Sequence, residues 1–198
     1  MAVLGSIWGG AGCLIIVAVI LLFLGAIVVG WLFSIYNSLI MLKNNIRKSF
    51  ADIDVLLKQR HDELPKLIDT VKGYMKYEKE TLTKITELRA SVYNAKTMAD
   101  KAAASNALSG ALANLFAVAE NYPDLKASQN FIQLQTRISA IESQLADRRE
   151  FYNDSVNHYN IRIASLPDMF LAKVMGYASE QLFQASEEEK KDVKVSFE

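Results

Sequence analysis

No Asp, Glu, Lys, Arg or His occurs between Met1 and Leu42, and the first charge in the chain is Lys43. All 22 basic and all 22 acidic residues of the 198-residue chain come after that stretch, which is itself predominantly apolar. Such a segment cannot form the surface of a water-soluble domain. Within it, the run from Leu14 to Phe33 is uninterrupted by any strongly polar side chain. At about 1.5 Å per residue in a helix it covers roughly 30 Å, the thickness of a bilayer's hydrocarbon core. Trp8 and Trp31 bracket the run, where amphipathic rings favour the membrane interface. A cleaved signal peptide fits less well, because no basic residue precedes the run and no Ala-x-Ala site follows it. Gly10-Ala11-Gly12-Cys13 resembles half a lipobox, but the apolar core follows the cysteine instead of preceding it. Lys43, Arg47 and Lys48 make the C-terminal flank the positive one, which directs it to the cytoplasm and leaves a short N-terminus outside.

The remainder is charge-balanced, so no net field gathers nucleic acid. One cysteine, Cys13, permits no internal disulfide, and two histidines, His61 and His158, do not make a metal site without carboxylates. Six of the nine glycines precede the first charge, and only Pro65, Pro123 and Pro167 punctuate the chain. That leaves too few turn residues for an all-β or Rossmann-like fold.

Helical periodicity runs through most of the charged part. Leu39, Leu42, Ile46, Phe50, Ile53 and Leu57, then Leu64, Leu67 or Ile68, Val71 and Met75, recur at steps of three and four, with a kink expected at Pro65. Leu82, Ile85, Leu88 and Val92 continue the pattern, and whether Gly73–Glu80 interrupts it stays open because the phase does not break. Lys101–Asn106, small and polar, reads as a connection; Leu108, Leu112, Leu115, Ala119 and Tyr122 form a short stripe after it, ended by Tyr122-Pro123-Asp124. Ser128 is placed to cap a final long helix with its stripe at Phe131, Leu134, Ile138, Ile141, Leu145, Arg149, Tyr152, Val156, Tyr159, Ile163 and Leu166, ended by Pro167. The expected fold is all-α: a single N-terminal transmembrane helix continuing into an antiparallel bundle of about four helices. Its expected divisions are an extracytoplasmic N-terminus (1–13), the transmembrane helix (14–34), a cytoplasmic bundle (35–176) and a charged tail (177–198). Val193–Glu198 in the tail alternates apolar and polar, as an added strand does. The apolar patch Met169–Met175 is expected either in the membrane interface or against the end of the bundle.

Three extended motifs carry a family resemblance. They are Arg60-x-x-x-Leu64-Pro65-x-Leu67-x-x-x-Val71-Lys72-Gly73-Tyr74-x-x-x-Glu78; Glu120-x-Tyr122-Pro123-Asp124-Leu125-Lys126-Ala127 with Phe131-x-x-Leu134-Gln135; and Arg148-Arg149-x-Phe151-Tyr152-Asn153-Asp154-x-Val156-x-x-Tyr159-Asn160. In order and spacing, from about Tyr36 to Phe197, the chain resembles the LemA family. Glu63, Tyr77, Leu166 and Asp192 depart from that family's usual residues. The resemblance implies a bacterial inner-membrane protein with a helical cytoplasmic domain and no established enzymatic activity. It also implies links to envelope stress and membrane organisation, magnetosome membranes included, and to a neighbouring membrane zinc metalloprotease.

Phosphate-cradling loops, His-Glu-x-x-His and nucleophile elbows are absent from the sequence. The informative polar residues lie on or beside apolar stripes: Arg60, Lys72, Glu78, Glu120, Arg149, Asn153 and Asn160. Buried charges and amides need partners, so these residues are expected to form a structural network that sets helix register. No catalytic residue, cofactor or metal is expected. The expected partners are the lipid bilayer, through Trp8, Trp31, Lys43, Arg47 and Lys48, and further copies of the chain in a membrane-organising assembly. The alternative is an adaptor or regulator of a membrane metalloprotease.

Overall fold

The computed structural model describes residues 2–75 and 78–184, with side chains from residue 14 onward. The alternating Val193–Glu198 segment lies outside the described residues, as do the side chains of Trp8 and Cys13. The fold is all-α: a long N-terminal apolar helix leads into a helical bundle, and no strand occurs among the described residues. The elements are α1 (Ala2–Lys72), α2 (Lys79–Asn94), α3 (Met98–Ala119), α4 (Pro123–Lys126), α5 (Gln129–Ala164) and α6 (Asp168–Val174). The break left open by the sequence pattern is real: α1 ends at Lys72, where Tyr74 and Met75 turn back onto the Val71 carbonyl, and α2 begins at Lys79.

Backbone contacts divide the chain into two compact units. One combines the N-terminal segment through Asn44 with Tyr159–Ser179; the other combines Asn45–His158 with the segment beginning at Glu180. In the first unit every side chain from Leu14 to Ser34 is exposed, and the first buried residue is Ile35. Ile35 and Leu39 pack with Ala172 of α6, flanked by Ile163, Leu171, Met175 and Tyr177. Helix α6 closes by donation from Tyr177 N to Ala172 O and from Gly176 N to Lys173 O. This C-terminal turn needs a left-handed residue, supplied by Gly176 at φ +66°. Tyr177 is thereby directed beneath Lys43, whose Nζ lies 4.5 Å from the ring centroid, and beside Tyr159.

In the second unit the buried stripes of four helices meet. Ile53, Leu57, Leu64 and Leu67 come from α1, Leu82 and Ile85 from α2, Leu108, Leu112 and Leu115 from α3, and Ile138, Leu145 and Val156 from α5. Contacts fix the directions. Asp54 pairs with Lys101 and Arg60 with Ser105 and Ser109, so α3 runs in the sense of α1. Asp52 pairs with Arg148 and Glu63 with Arg137, so α5 opposes α1. Lys101–Asn106 is not a connection but part of α3, whose N-cap is Thr97, its hydroxyl accepting from Asp100 N at 3.0 Å. The physical reason is packing: Ala102 and Ser105 are fully buried, and small side chains let α3 approach its neighbours closely. The stripe of α5 stays buried through Tyr159, whereas Leu166 lies beyond the helix end and is exposed.

Pro65 lies inside α1, and the helix continues through it. Having no N–H, Pro65 leaves the carbonyl of His61, four residues earlier, without its helical donor. Arg89 of α2 fills that gap: its Nε donates to His61 O at 3.0 Å and its Nη2 approaches His61 Nε2 at 2.8 Å. A proline that would weaken an isolated helix is thus also the reason α2 is tied to α1 at this level. Arg89→Met is expected to cost about 1–3 kcal/mol, the usual penalty for a buried carbonyl stripped of its donor. In a Pro65→Ala background the cost should shrink, because the alanine N–H can serve His61 O. A double-mutant cycle read by thermal or denaturant unfolding in detergent checks this coupling.

Candidate functional site

The polar centre of the bundle is assembled from α1, α3 and α5. Arg60 occupies the stripe position between Leu57 and Leu64 and is 1% exposed. On α3, Ser105 and Ser109 stand one turn apart on one face, and on α5 Glu142 and Arg149 stand two turns apart. Arg60 Nη1 donates to Glu142 Oε1 at 2.7 Å and to Ser109 Oγ at 3.1 Å, and Arg60 Nη2 donates to Ser105 Oγ at 2.6 Å. Ser109 in turn donates to Glu142 Oε2 at 2.6 Å. Arg149 reaches the same buried serine, Ser105, through Nη2, and Asn106 Oδ1 at 2.9 Å through Nη1. One serine oxygen therefore accepts from two guanidinium groups on opposite helices.

The cluster holds two cations and one carboxylate. Burial, and then the Arg60 charge, hold Arg149 below the ordinary arginine value, while Glu142 pulls it back. An arginine remains charged despite such shifts, so the cluster keeps its excess positive charge. The guanidinium carbon of Arg149 also lies 5.1 Å from the ring centroid of Phe183, where the π-face offsets part of that excess.

Phe183 belongs to the segment without regular secondary structure that follows Glu180, and α5 grips it. Asn153 uses both ends of its amide: Oδ1 accepts from Phe183 N at 2.7 Å and Nδ2 donates to Phe183 O at 3.2 Å. Tyr152 donates to Gln181 O at 3.0 Å and meets the Phe183 ring edge-on. Asn153 thus reads backbone, as a neighbouring strand would, in a fold with no strand among the described residues.

The other polar residues singled out by the sequence go elsewhere. Lys72 is exposed, 3.8 Å from Asp69, and borders an open groove with Ile68, Met75, Lys79 and Leu82. Glu78 accepts from the Tyr122 hydroxyl at 3.4 Å. Glu120 pairs with Lys126 in solvent. Asn160 is half-buried in the unit that contains α6. Only Arg60 and Arg149 converge. At the end of the apolar run Trp31 is half-exposed, Lys43 sits over Tyr177, and Arg47 and Lys48 are exposed.

Apolar periodicity passes over Ser105, Ser109, Glu142, Arg89 and Glu63. Glu63 is 6% exposed and accepts from Lys66 at 3.1 Å and Arg137 at 3.3 Å, so the departure at this position is compensated by two cations. The signals that mark these positions are the i, i+4 serines beside buried alanine, and the seven-residue spacing of Glu142 and Arg149.

An all-α bundle behind an exposed apolar helix, with a polar core drawn from three helices, defines a helical-bundle protein bearing a candidate membrane span. The model of the LemA family matches residues 49–197, and the chain belongs to that family. It is 33% identical to "Protein LemA" of Metamycoplasma hominis over 164 residues, 81% of this chain and 74% of that protein. It is also 33% identical over 81 residues to "Magnetosome protein MamQ 2" of Paramagnetospirillum magneticum, covering 41% of this chain and 30% of that protein. A further similarity, 29% over 80 residues, is to "Magnetosome protein MamQ" of Magnetospirillum gryphiswaldense, covering 40% of this chain and 29% of that protein.

Arg60→Met leaves Glu142 without its cation and should cost about 3 kcal/mol, the low end for a broken buried pair because Glu142 is partly exposed. Adding Glu142→Met should restore part of that loss, read from unfolding midpoints of the two variants. His61 gives the bundle a pH dependence. Arginine only donates, so His61 Nε2 must accept and the ring is neutral with its proton on Nδ1. Burial first, then the Arg89 charge, hold His61 below its ordinary value of 6.5. The unfolded chain therefore binds more protons, and stability is lost as pH falls from 6.5 towards the folded value. His61→Gln, which keeps an acceptor but does not titrate, should flatten this part of the pH–stability curve.

Proposed function

We propose that this is a non-enzymatic protein of the bacterial inner membrane that self-assembles and organises the membrane around it, in the setting of envelope stress. The observation that carries the reading is the apolar stretch of α1. From Leu14 to Phe33 it is exposed on every side, and Gly25 and Gly30 have nothing within 4 Å of where a side chain would begin. Lipid covers such a surface, and small residues let a second span approach closely within the lipid. Lys43, Arg47 and Lys48 favour a cytoplasmic bundle and an external N-terminus. The names of the partial relatives, magnetosome proteins, support a role at a membrane compartment.

The polar core supports a structural reading over a catalytic one. The hydroxyls of Ser105 and Ser109 are occupied by guanidinium and carboxylate groups, and His61 is held by Arg89. Among the described residues no three His, Cys, Asp or Glu side chains gather as metal ligands do.

Extracted in mild detergent, the intact particle is expected to weigh a multiple of the 22.1 kDa chain. Gly25→Leu with Gly30→Leu should shift it towards the monomer without loss of helicity, since both sites are open in the single chain. A particle that is monomeric at every concentration removes the self-assembly reading. A dominant in-cell crosslink to a membrane protease, in place of self-adducts, puts the adaptor role in its stead.

A further inference from the structure

Helix α6 has two apolar faces. The inner one, Leu171, Ala172 and Met175, packs on Ile35 and Leu39 of α1. The outer one is unpartnered: Phe170 is 64% exposed and Val174 84%, one helical turn apart on one side, and Leu166, in the turn before the helix, is exposed as well. A seven-residue helix with only one such surface would be ordinary; the second, solvent-facing row needs a cover.

Position along α1 identifies the cover. Ile35 and Leu39 lie two and six residues beyond Phe33, the last residue of the uninterrupted apolar run. Along a helix axis that is roughly 3 to 9 Å past the end of the run. The headgroup layer of each leaflet, the difference between the hydrocarbon core and the whole bilayer, is about 5–8 Å deep. Helix α6 is therefore held at the height of the lipid headgroups. The charges around it agree: Lys173 is exposed on α6 itself, and Lys43 lies over Tyr177 immediately after the helix. Arg162 pairs with the buried Asp168 carboxylate at the helix start, so this acid presents no free negative charge to the lipid.

We infer that α6 is an interfacial helix, with Phe170 and Val174 inserted at the headgroup–acyl boundary of the leaflet that α1 leaves. The inference rests on the membrane-spanning reading of Leu14–Phe33 and deepens it by adding a second, non-spanning contact. It divides the two fates that the sequence offers Met169–Met175 between opposite faces of one helix: one packs on α1 and the other meets lipid.

The test uses the full chain in liposomes, with Cys13→Ser removing the only native cysteine. Single reporter cysteines at Phe170→Cys, Val174→Cys, Phe23→Cys and Tyr93→Cys carry a fluorophore, and nitroxide lipids quench either near the headgroups or at the acyl terminus. Phe170 and Val174 reporters should be quenched most by the shallow nitroxide, at a depth of about 5–10 Å. The Phe23 reporter should respond most to the deep nitroxide, and Tyr93, exposed on α2, to neither. Quenching at Phe23 without quenching at Phe170 and Val174 overturns the α6 inference alone. Loss of quenching at Phe23 overturns the spanning reading beneath it. Disulfide-linked dimers through Phe170→Cys, formed at the expense of lipid quenching, assign the outer face to a second copy and also overturn the inference.

Discussion

A guanidinium group with 1% exposure cannot be left unpaired, and the bundle is arranged around that requirement at Arg60. Apolar stripes alone hold helices together but tolerate sliding by a turn, since leucine packs on leucine at several registers. A slip of one turn, about 5.4 Å, would carry Arg60 away from Glu142, Ser105 and Ser109. That would strand a charge in the core, which costs far more than repacking a side chain. The same serine oxygen that receives Arg60 also receives Arg149, so α1 and α5 are registered through α3 as well as against each other. Arg89 plays the corresponding part for α2 by answering the carbonyl that Pro65 releases.

In the unit built from the N-terminal segment and α6, the governing constraint is the change from an exposed apolar surface to a one-sided buried stripe along one helix. Up to Ser34 every described side chain faces outward; from Ile35 the stripe begins to bury. Helix α6 is docked at that transition by Ile35 and Leu39 and terminated by the Gly176 turn. The Tyr177 ring then takes the Lys43 charge, so the first cation of the chain is engaged by an aromatic ring beside it.

Helix content, the order of the long elements and the apolar span are legible in the sequence because periodicity and hydropathy are local properties. Lys101–Asn106 misleads because small polar residues serve turns and close helix packing alike; burial of Ala102 and Ser105 separates the two uses. Among the polar residues beside the stripes, Arg60 and Arg149 share a partner. Lys72 and Glu120 are exposed, in ion pairs with local partners. Their motif positions look alike along the chain, but the charge of one pair is enclosed by three helices and that of the other meets water. Asn153 illustrates a different blind spot, because its partner is the backbone of Phe183 and carries no side-chain signature.

By itself the sequence determined where along the chain an all-apolar helix gives way to amphipathic ones. An uninterrupted apolar run without a single charge, and balanced charge on a helical period beyond it, leave few options other than an apolar helix followed by amphipathic ones. Family membership was legible for a related reason, since its motifs are fixed spacings along those helices. Tertiary structure alone decided which polar residues meet. Glu142 and Ser105 lie 82 and 45 positions from Arg60, and Arg89 lies 28 from its partner His61; no local pattern encodes such pairings. The reason is energetic: a stripe states only that a face is buried, whereas a charge in the core must find a partner, and the partner's identity depends on how the helices are laid side by side.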